Sequence, residues 1–242
     1  MEPFRAADGS LCLMMLNISG GMVGSDRLTT EINLGAGAQA VLTTASAAKA
    51  YRSEGAIASQ HTVITLDENA VLEYLPDHLI PHAGAAIEQT LKIEMAKGSR
   101  AIVYEAMAAG RIGRGERWQF RTITSEVAIN QSGRPRYMNR ARIEPASQPL
   151  ADLGWMENCN YLATMVMAGD DDHDWTGLAI ALHRALQGIR GVQGSASWIA
   201  HSGCVARFMS VSADALNRTA MKLWAIARRD LLGLEGFPLR KF

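Results

Sequence analysis

Cysteine is scarce in this 242-residue chain. Cys12, Cys159 and Cys204 are three, an odd number, far apart, and no CxxC pair occurs. That pattern argues against a disulfide framework or a structural zinc module and fits a reducing compartment. Long apolar runs are missing as well, so nothing reads as a bilayer-spanning helix. The opening Met1-Glu2-Pro3-Phe4-Arg5 has no apolar segment of the signal-peptide kind. The expected location is therefore the cytoplasm. Net charge is absent too: 24 lysines plus arginines balance 24 aspartates plus glutamates. This balance gives no electrostatic reason to expect nucleic acid or a membrane surface as a partner.

Local catalytic signatures are also lacking. There is no GxxxxGK[ST], no GxSxG and no HExxH, and the glycine-rich stretch Ser19 to Asp26 does not fit GxGxxG. The expectation is a protein that works through its surfaces and not an enzyme.

What the chain does have is a folded composition, 48% hydrophobic and 20% charged, with enough length for one large domain or two small ones. Three segments share one layout, a strand, a tight polar turn and a second strand. They run Ile32 to Leu42, Thr62 to Tyr74 and Leu91 to Tyr104. Their turn residues Gly37, Asn69 and Gly98 tolerate the positive φ that such turns need. A strand–turn–strand unit recurring at about thirty residues suggests stacked β layers as in a solenoid. Three hairpins of a β-sandwich give the same local pattern.

Further strands are expected at Trp118 to Ile129, Arg136 to Ile143, Tyr161 to Met167, Ser197 to His201 and Val205 to Ser210, with a connection over Glu144 to Asn158. A helix fits Asp174 to Gln187, capped by Asp174. A second fits Ser212 to Gly233, with Leu216, Ala220, Leu223, Trp224, Ala227 and Leu231 at helical spacing. The expected fold is mainly β, a solenoid-like stack of strand pairs with two helices, the last C-terminal, in one domain over 1–242.

Two places have metal-ligand residue types. His78 and His82 flank Pro81, which disfavours the helix that would align them; the plainer reading is a pair of turn histidines. Asp171 and His173 sit in the acidic run Gly169 to Asp174, whose plainer reading is a solvated loop leading into a helix cap.

Taken in order, the motifs resemble the urease accessory protein D family. Asn17 to Leu28, carrying Gly20, Gly21, Gly24 and Asp26, is similar to its glycine-rich signature, with Ser25 where the family usually has Gly. Thr43, Thr44, Lys49, Tyr51 and Arg52 resemble its Thr-Thr…Lys-x-Tyr-Arg segment. Leu75-Pro76, Ile80 and Gly84-Ala85 follow. Glu105, Gly110, Arg111, Gly115 and Glu116 match a Glu…Gly-Arg…Gly-Glu pattern, and Arg207, Trp224 and Arg228 fit toward the end. The N-terminus looks short beside family members, which carry additional strands before the glycine-rich segment.

The resemblance implies a β-helical scaffold without catalytic residues. It implies binding to a UreF-type protein, through it to a UreG-type GTPase, and docking on the urease apoprotein. It also implies an internal polar passage for nickel, which is cargo in transit and not a tightly bound cofactor. Asp26 would cap its turn or line that passage. Glu105 and Glu116 would pair with Arg111 and Arg207 or line it. Trp224 and Arg228, on the last helix, are candidate partner contacts. Two other readings stand beside the scaffold. One is a direct nickel carrier using His78, His82 or His173. The other is a β-solenoid carbohydrate enzyme using Asp26, Glu105 and Glu116, which needs paired carboxylates in one cleft.

Overall fold

The computed structural model describes residues 4–6, 8–200 and 203–239. Among them, four parallel strands build each of two facing sheets. In the first sheet they are β2 (Leu11–Met15), β4 (Gln39–Thr44), β7 (Val71–Leu75) and β10 (Arg100–Ala108). In the second they are β3 (Arg27–Leu34), β6 (Ala58–Leu66), β9 (Ala86–Met95) and β11 (Thr122–Gln131). Each coil crosses from the second sheet to the first through a tight turn. This is a β-solenoid of about four turns.

The repeat spacing is the strand register. Arg27 pairs with Ser59 and Gln39 with Val71, each 32 residues on; Ala58 pairs with Ile87 and Val71 with Arg100, each 29 residues on. The turn residues Gly37, Asn69 and Gly98 have φ of 69°, 58° and 75°. The stack of layers, not three separate hairpins, is thus what the recurring turns encode.

The first sheet then continues antiparallel with β13 (Tyr161–Ala168), β15 (Gly203–Ser210) and β14 (Val192–Ile199). The second ends with antiparallel β12 (Arg134–Ile143). Short strands β1 (Phe4–Arg5), β5 (Ala48–Ala50) and β8 (Leu79–Pro81) complete the first sheet.

Helix α1 (Trp175–Leu186) begins where Asp174 Oδ1 accepts the Gly177 N–H at 2.9 Å, and α2 (Ala213–Leu232) where Ser212 Oγ accepts the Ala215 N–H at 3.2 Å. Gly233 ends α2 in the left-handed conformation, the cap that a glycine takes most easily. Both helices bury one face on the outer side of the first sheet, against Tyr104, Met165, Cys204 and Phe208. Of the described helices, none is long and apolar enough to cross a membrane.

Three expectations need correction. Trp118 to Phe120 is not strand: Trp118 takes φ 57° and its N–H reaches back to the Ala109 carbonyl, so the chain enters β11 only at Thr122. The strand expected to begin at Ser197 begins at Val192, and its expected end at His201 lies outside the described residues. Trp224 and Arg228 are 1% and 0% exposed. They face inward, because α2 needs them to bury Glu73, and they are not offered to a partner.

Candidate functional site

Side-chain alternation decides what lies between the sheets. On the second sheet the inward residues form cross-strand rows. Ile32, Ile64, Ile93, Ile129 and Tyr137 make an apolar row on the tight-turn side. Ala58, Ile87, Ile123 and Ile143 make another at the opposite side. Between them runs Leu28–Gln60–Gln89–Ser125–Ala141, a row with three polar members. Gln89 Nε2 donates to Gln60 Oε1 at 2.9 Å, which fixes two amides along that row.

On the first sheet Met15 pairs with Thr44, and Glu105 with Thr164, in the row that faces this polar strip. Polar and small side chains do not fill the space as the isoleucines do, so a cavity of about 780 Å³ remains along the solenoid axis. It crosses the layers from Leu13 and Leu28 at one end to Asn139 and Thr164 at the other. At the first end Leu16, Ile18 and Leu28 are exposed, so it opens to solvent through an apolar rim.

Glu105 is the cavity's central ionisable group. Burial pushes its carboxyl up to about 7, and no cation lies close enough to oppose that shift. Among the described residues it makes no ion pair, so the expected pairing with Arg111 or Arg207 does not form. Tyr74 and Thr164 beside it are neutral. Tyr74, bonded to Thr62, is itself driven to about 12 by burial and by Glu105. A carboxylate set among amide and hydroxyl oxygens, with Asp77 and Lys49 elsewhere on the lining, suits weak, reversible contact with a divalent cation, not a tight site.

The remaining motif residues build a wall of stacked loops along the edge opposite the tight turns. Gly21 lies so close to the next loop that an added Cβ would sit 2.7 Å from the Lys49 carbonyl oxygen and 2.8 Å from Tyr51. Met22 donates to that Lys49 carbonyl, Tyr51 N–H returns to Met22, and Tyr51 Oη donates to the Gly20 carbonyl at 3.0 Å. Gly24 rests on Ser53 in the same way. Asp26 Oδ2 accepts the Val23 N–H at 2.9 Å, so it caps its turn, stays exposed and does not line the cavity.

The next layers continue the wall. Arg52 pairs with Ala85 and packs over Gly84, while Thr43 Oγ1 donates to the Leu75 carbonyl and Thr44 Oγ1 accepts from Asp77 N. Glu116 accepts from Ala83 N and from Arg111 Nε at 2.8 Å, and that guanidinium holds its carboxyl below the usual range. Gly110, at φ 148°, leaves room for the Glu116 carbonyl, and Gly115 closes a short 3-10 turn at φ 75°. Of the motif residues, Gly20, Gly21, Thr44, Lys49 and Glu105 border the cavity. Glu116 does not; it belongs to the wall.

The metal candidates are not brought together. His78 packs edge-on against Tyr161 and His82 against Tyr51, while burial and Arg111 hold His82 below its usual range. Asp171 pairs with Arg136, and His173 Nε2 lies 2.6 Å from Asp230 Oδ1. No group of three metal-ligand residues forms among the described residues. Asp26, Glu105 and Glu116 likewise share no cleft, since only Glu105 faces the cavity.

Sequence reasoning missed Gln60, Gln89, Asn139 and Thr164. Each looks like an ordinary strand residue alone, and only the register aligns them; their inward parity was the available signal.

Similarity to known proteins supplies the family. A family model described as UreD urease accessory protein matches residues 1–241. A urease accessory protein UreD of Herpetosiphon aurantiacus is 34% identical over 240 residues, covering 96% of this chain and 83% of the relative. One of Mycolicibacterium gilvum is 33% identical over 232 residues, covering 96% and 82%. One of Microcystis aeruginosa is 30% identical over 238 residues, covering 97% and 85%. On the ordered motifs, the stacked coils and these matches, the chain belongs to the UreD urease accessory protein family.

Proposed function

We propose that this chain is a non-catalytic scaffold of urease maturation. It binds a UreF-type protein and, through it, a UreG-type GTPase, and docks on the urease apoprotein in the cytoplasm while nickel passes along its axial cavity. The observation that carries this reading is Glu105, a carboxylate without a cation partner midway along a cavity that crosses the layers. Nickel is the cargo. Weak oxygen contacts at Glu105, Gln60 and Gln89 let it move on, where a cluster of imidazoles would trap it.

Partner contact falls to surfaces other than Trp224 and Arg228. The exposed apolar side chains Leu16 and Ile18 at the cavity rim, and Leu153 and Trp155 in the loop before β13, are the candidates. Among the described residues the groupings that the direct-carrier and carbohydrate-enzyme readings need do not form.

The test is complementation in cells whose own UreD-type gene is deleted. Ala141→Trp fills the cavity; Val63→Trp, on the outer face of the second sheet, is the control. The expected result is loss of urease activation with Ala141→Trp alone, while both variants still copurify with a UreF-type protein. Full activation with Ala141→Trp would remove the passage, and no copurification of the unaltered chain would remove the scaffold.

A further inference from the structure

The loop wall opposite the tight turns gathers positive charge around one short loop, His82 to Ala85. Arg52 pairs with Ala85, and Arg121 donates its backbone N–H to the Ala85 carbonyl. The Arg121 guanidinium reaches on to the Gly55 and Ala56 carbonyls, each at 3.0 Å. Burial, then Arg111, Lys49 and Arg114, hold His82 below its usual range while Glu116 opposes them, so those cations converge on the same loop. Lys49, Arg52, Arg114 and Arg121 are all exposed. Among the described residues no carboxylate lies within ion-pair distance of any of these four. Glu116 is engaged by Arg111, and Asp26 caps its own turn in the first layer. Glu54, exposed in the same loop as Arg52, pairs with none of them.

We propose that this edge is a docking surface for an acidic segment of a partner protein, whose carboxylates meet Lys49, Arg52, Arg114 and Arg121. Its composition favours protein over nucleic acid. Val23 and Ile57 are exposed on the first two loops of the wall, and apolar side chains among arginines are typical of protein interfaces. Tyr51 rests edge-on against His82 at 4.8 Å and donates to the Gly20 carbonyl, so it is tied down and not free to stack on a base. The chain as a whole is neutral, so the attraction is confined to this patch. The wall is also rigid. Arg52 lies across Gly84, where an added Cβ would be 3.0 Å from its Cγ, and Gly21 packs on Lys49. Little order is left to impose on binding, which keeps its entropic cost low. The proposal does not rest on the nickel passage or on Glu105.

The test is fluorescence anisotropy of a labelled peptide rich in Glu and Leu, set against the same peptide with Gln for every Glu. At low salt the Glu peptide should bind the parent protein more tightly, by on the order of tenfold, and about 1 M salt should remove the difference. Arg52→Glu and Arg114→Glu should each weaken binding by on the order of fivefold. Lys92→Glu, on the outer face of the second sheet, should leave it unchanged. Glu54→Gln removes the acid nearest the patch in sequence and should strengthen binding.

Equal binding of the two peptides would overturn the proposal, as would a Lys92→Glu loss as large as that of Arg52→Glu. Duplex DNA or phosphatidylserine vesicles held more tightly than the Glu peptide at the same salt would overturn it too, by naming a different occupant. Should Arg52→Glu fail to fold, Arg114→Glu and the gain expected of Glu54→Gln still decide. Nickel is absent from the assay, so its failure is distinct from a failure of nickel delivery.

Discussion

Glu73 and Arg228 lie 155 residues apart in the chain and meet in its interior, with Arg228 Nε 2.9 Å from Glu73 Oε2. Glu73 stands on β7 in the middle of the first sheet, and Arg228 near the end of α2. The same guanidinium reaches Asp8 Oδ2 at 2.6 Å and Ser10 Oγ at 2.9 Å, and Trp224 Nε1 donates to Glu73 at 2.5 Å. One buried cation thus ties the first described loop, the central sheet and the last helix together.

Removing only the cation leaves Glu73 buried and uncompensated. Arg228→Met should cost about 3–5 kcal/mol, whereas the double change Glu73→Leu with Arg228→Met should cost clearly less. Urea denaturation midpoints check both. Equal losses would mean that the pair is not what holds α2 to the sheet.

The loop wall depends on close approach. Gly21→Ala puts a methyl into the Lys49 carbonyl and should cost about 1–3 kcal/mol. Gly35→Ala meets nothing within 4 Å and should stay within about 0.5 kcal/mol of the parent. Thermal melts of the two variants give the comparison.

Ser25 holds φ 74°, a conformation glycine adopts freely and serine does not. Ser25→Gly relieves about 1–2 kcal/mol of strain against a smaller gain in unfolded-chain freedom. The net expectation is a stabilisation of about 0.5–1 kcal/mol, read as a rise in melting temperature.

Glu105 makes stability depend on pH in an unusual direction. Its carboxyl titrates near 7 when folded, above its ordinary value of 4.5. Between those values the unfolded chain loses its proton while the folded chain keeps it, so stability falls as pH rises through that window. The loss is at most about 3 kcal/mol, and smaller to the extent that water in the cavity solvates the carboxylate. Glu105→Gln should flatten this window in urea titrations at pH 5 and pH 8.

The stacked layers were legible because the turn chemistry repeats. Gly37, Asn69 and Gly98 mark the coils at spacings that are also the strand registers, and Asp174, Ser212 and Gly233 mark the helix ends. Asp26 was legible as a turn cap because its bond to Val23 is local. What stayed hidden depends on parity and distance. Trp118 and Phe120 carry a strand's residue types, yet a left-handed residue interrupts them. Trp224 sits on the apolar stripe of the helix, which is its buried face, but its link to Glu73 spans 151 residues and no spacing reveals it. The partner of Glu116 was nearby in the motif, whereas Glu105 has no ion-pair partner among the described residues, a fact no spacing reveals.

The most direct test is the nickel content of urease matured with Glu105→Gln at pH 8, compared with Glu105→Asp and the parent, all in complexes shown to be intact. A marked drop in nickel per active site with Gln, and substantial retention with Asp, is the expected result. Full nickel loading by the Gln variant, with partner binding unchanged, would contradict a passage that runs past this carboxylate.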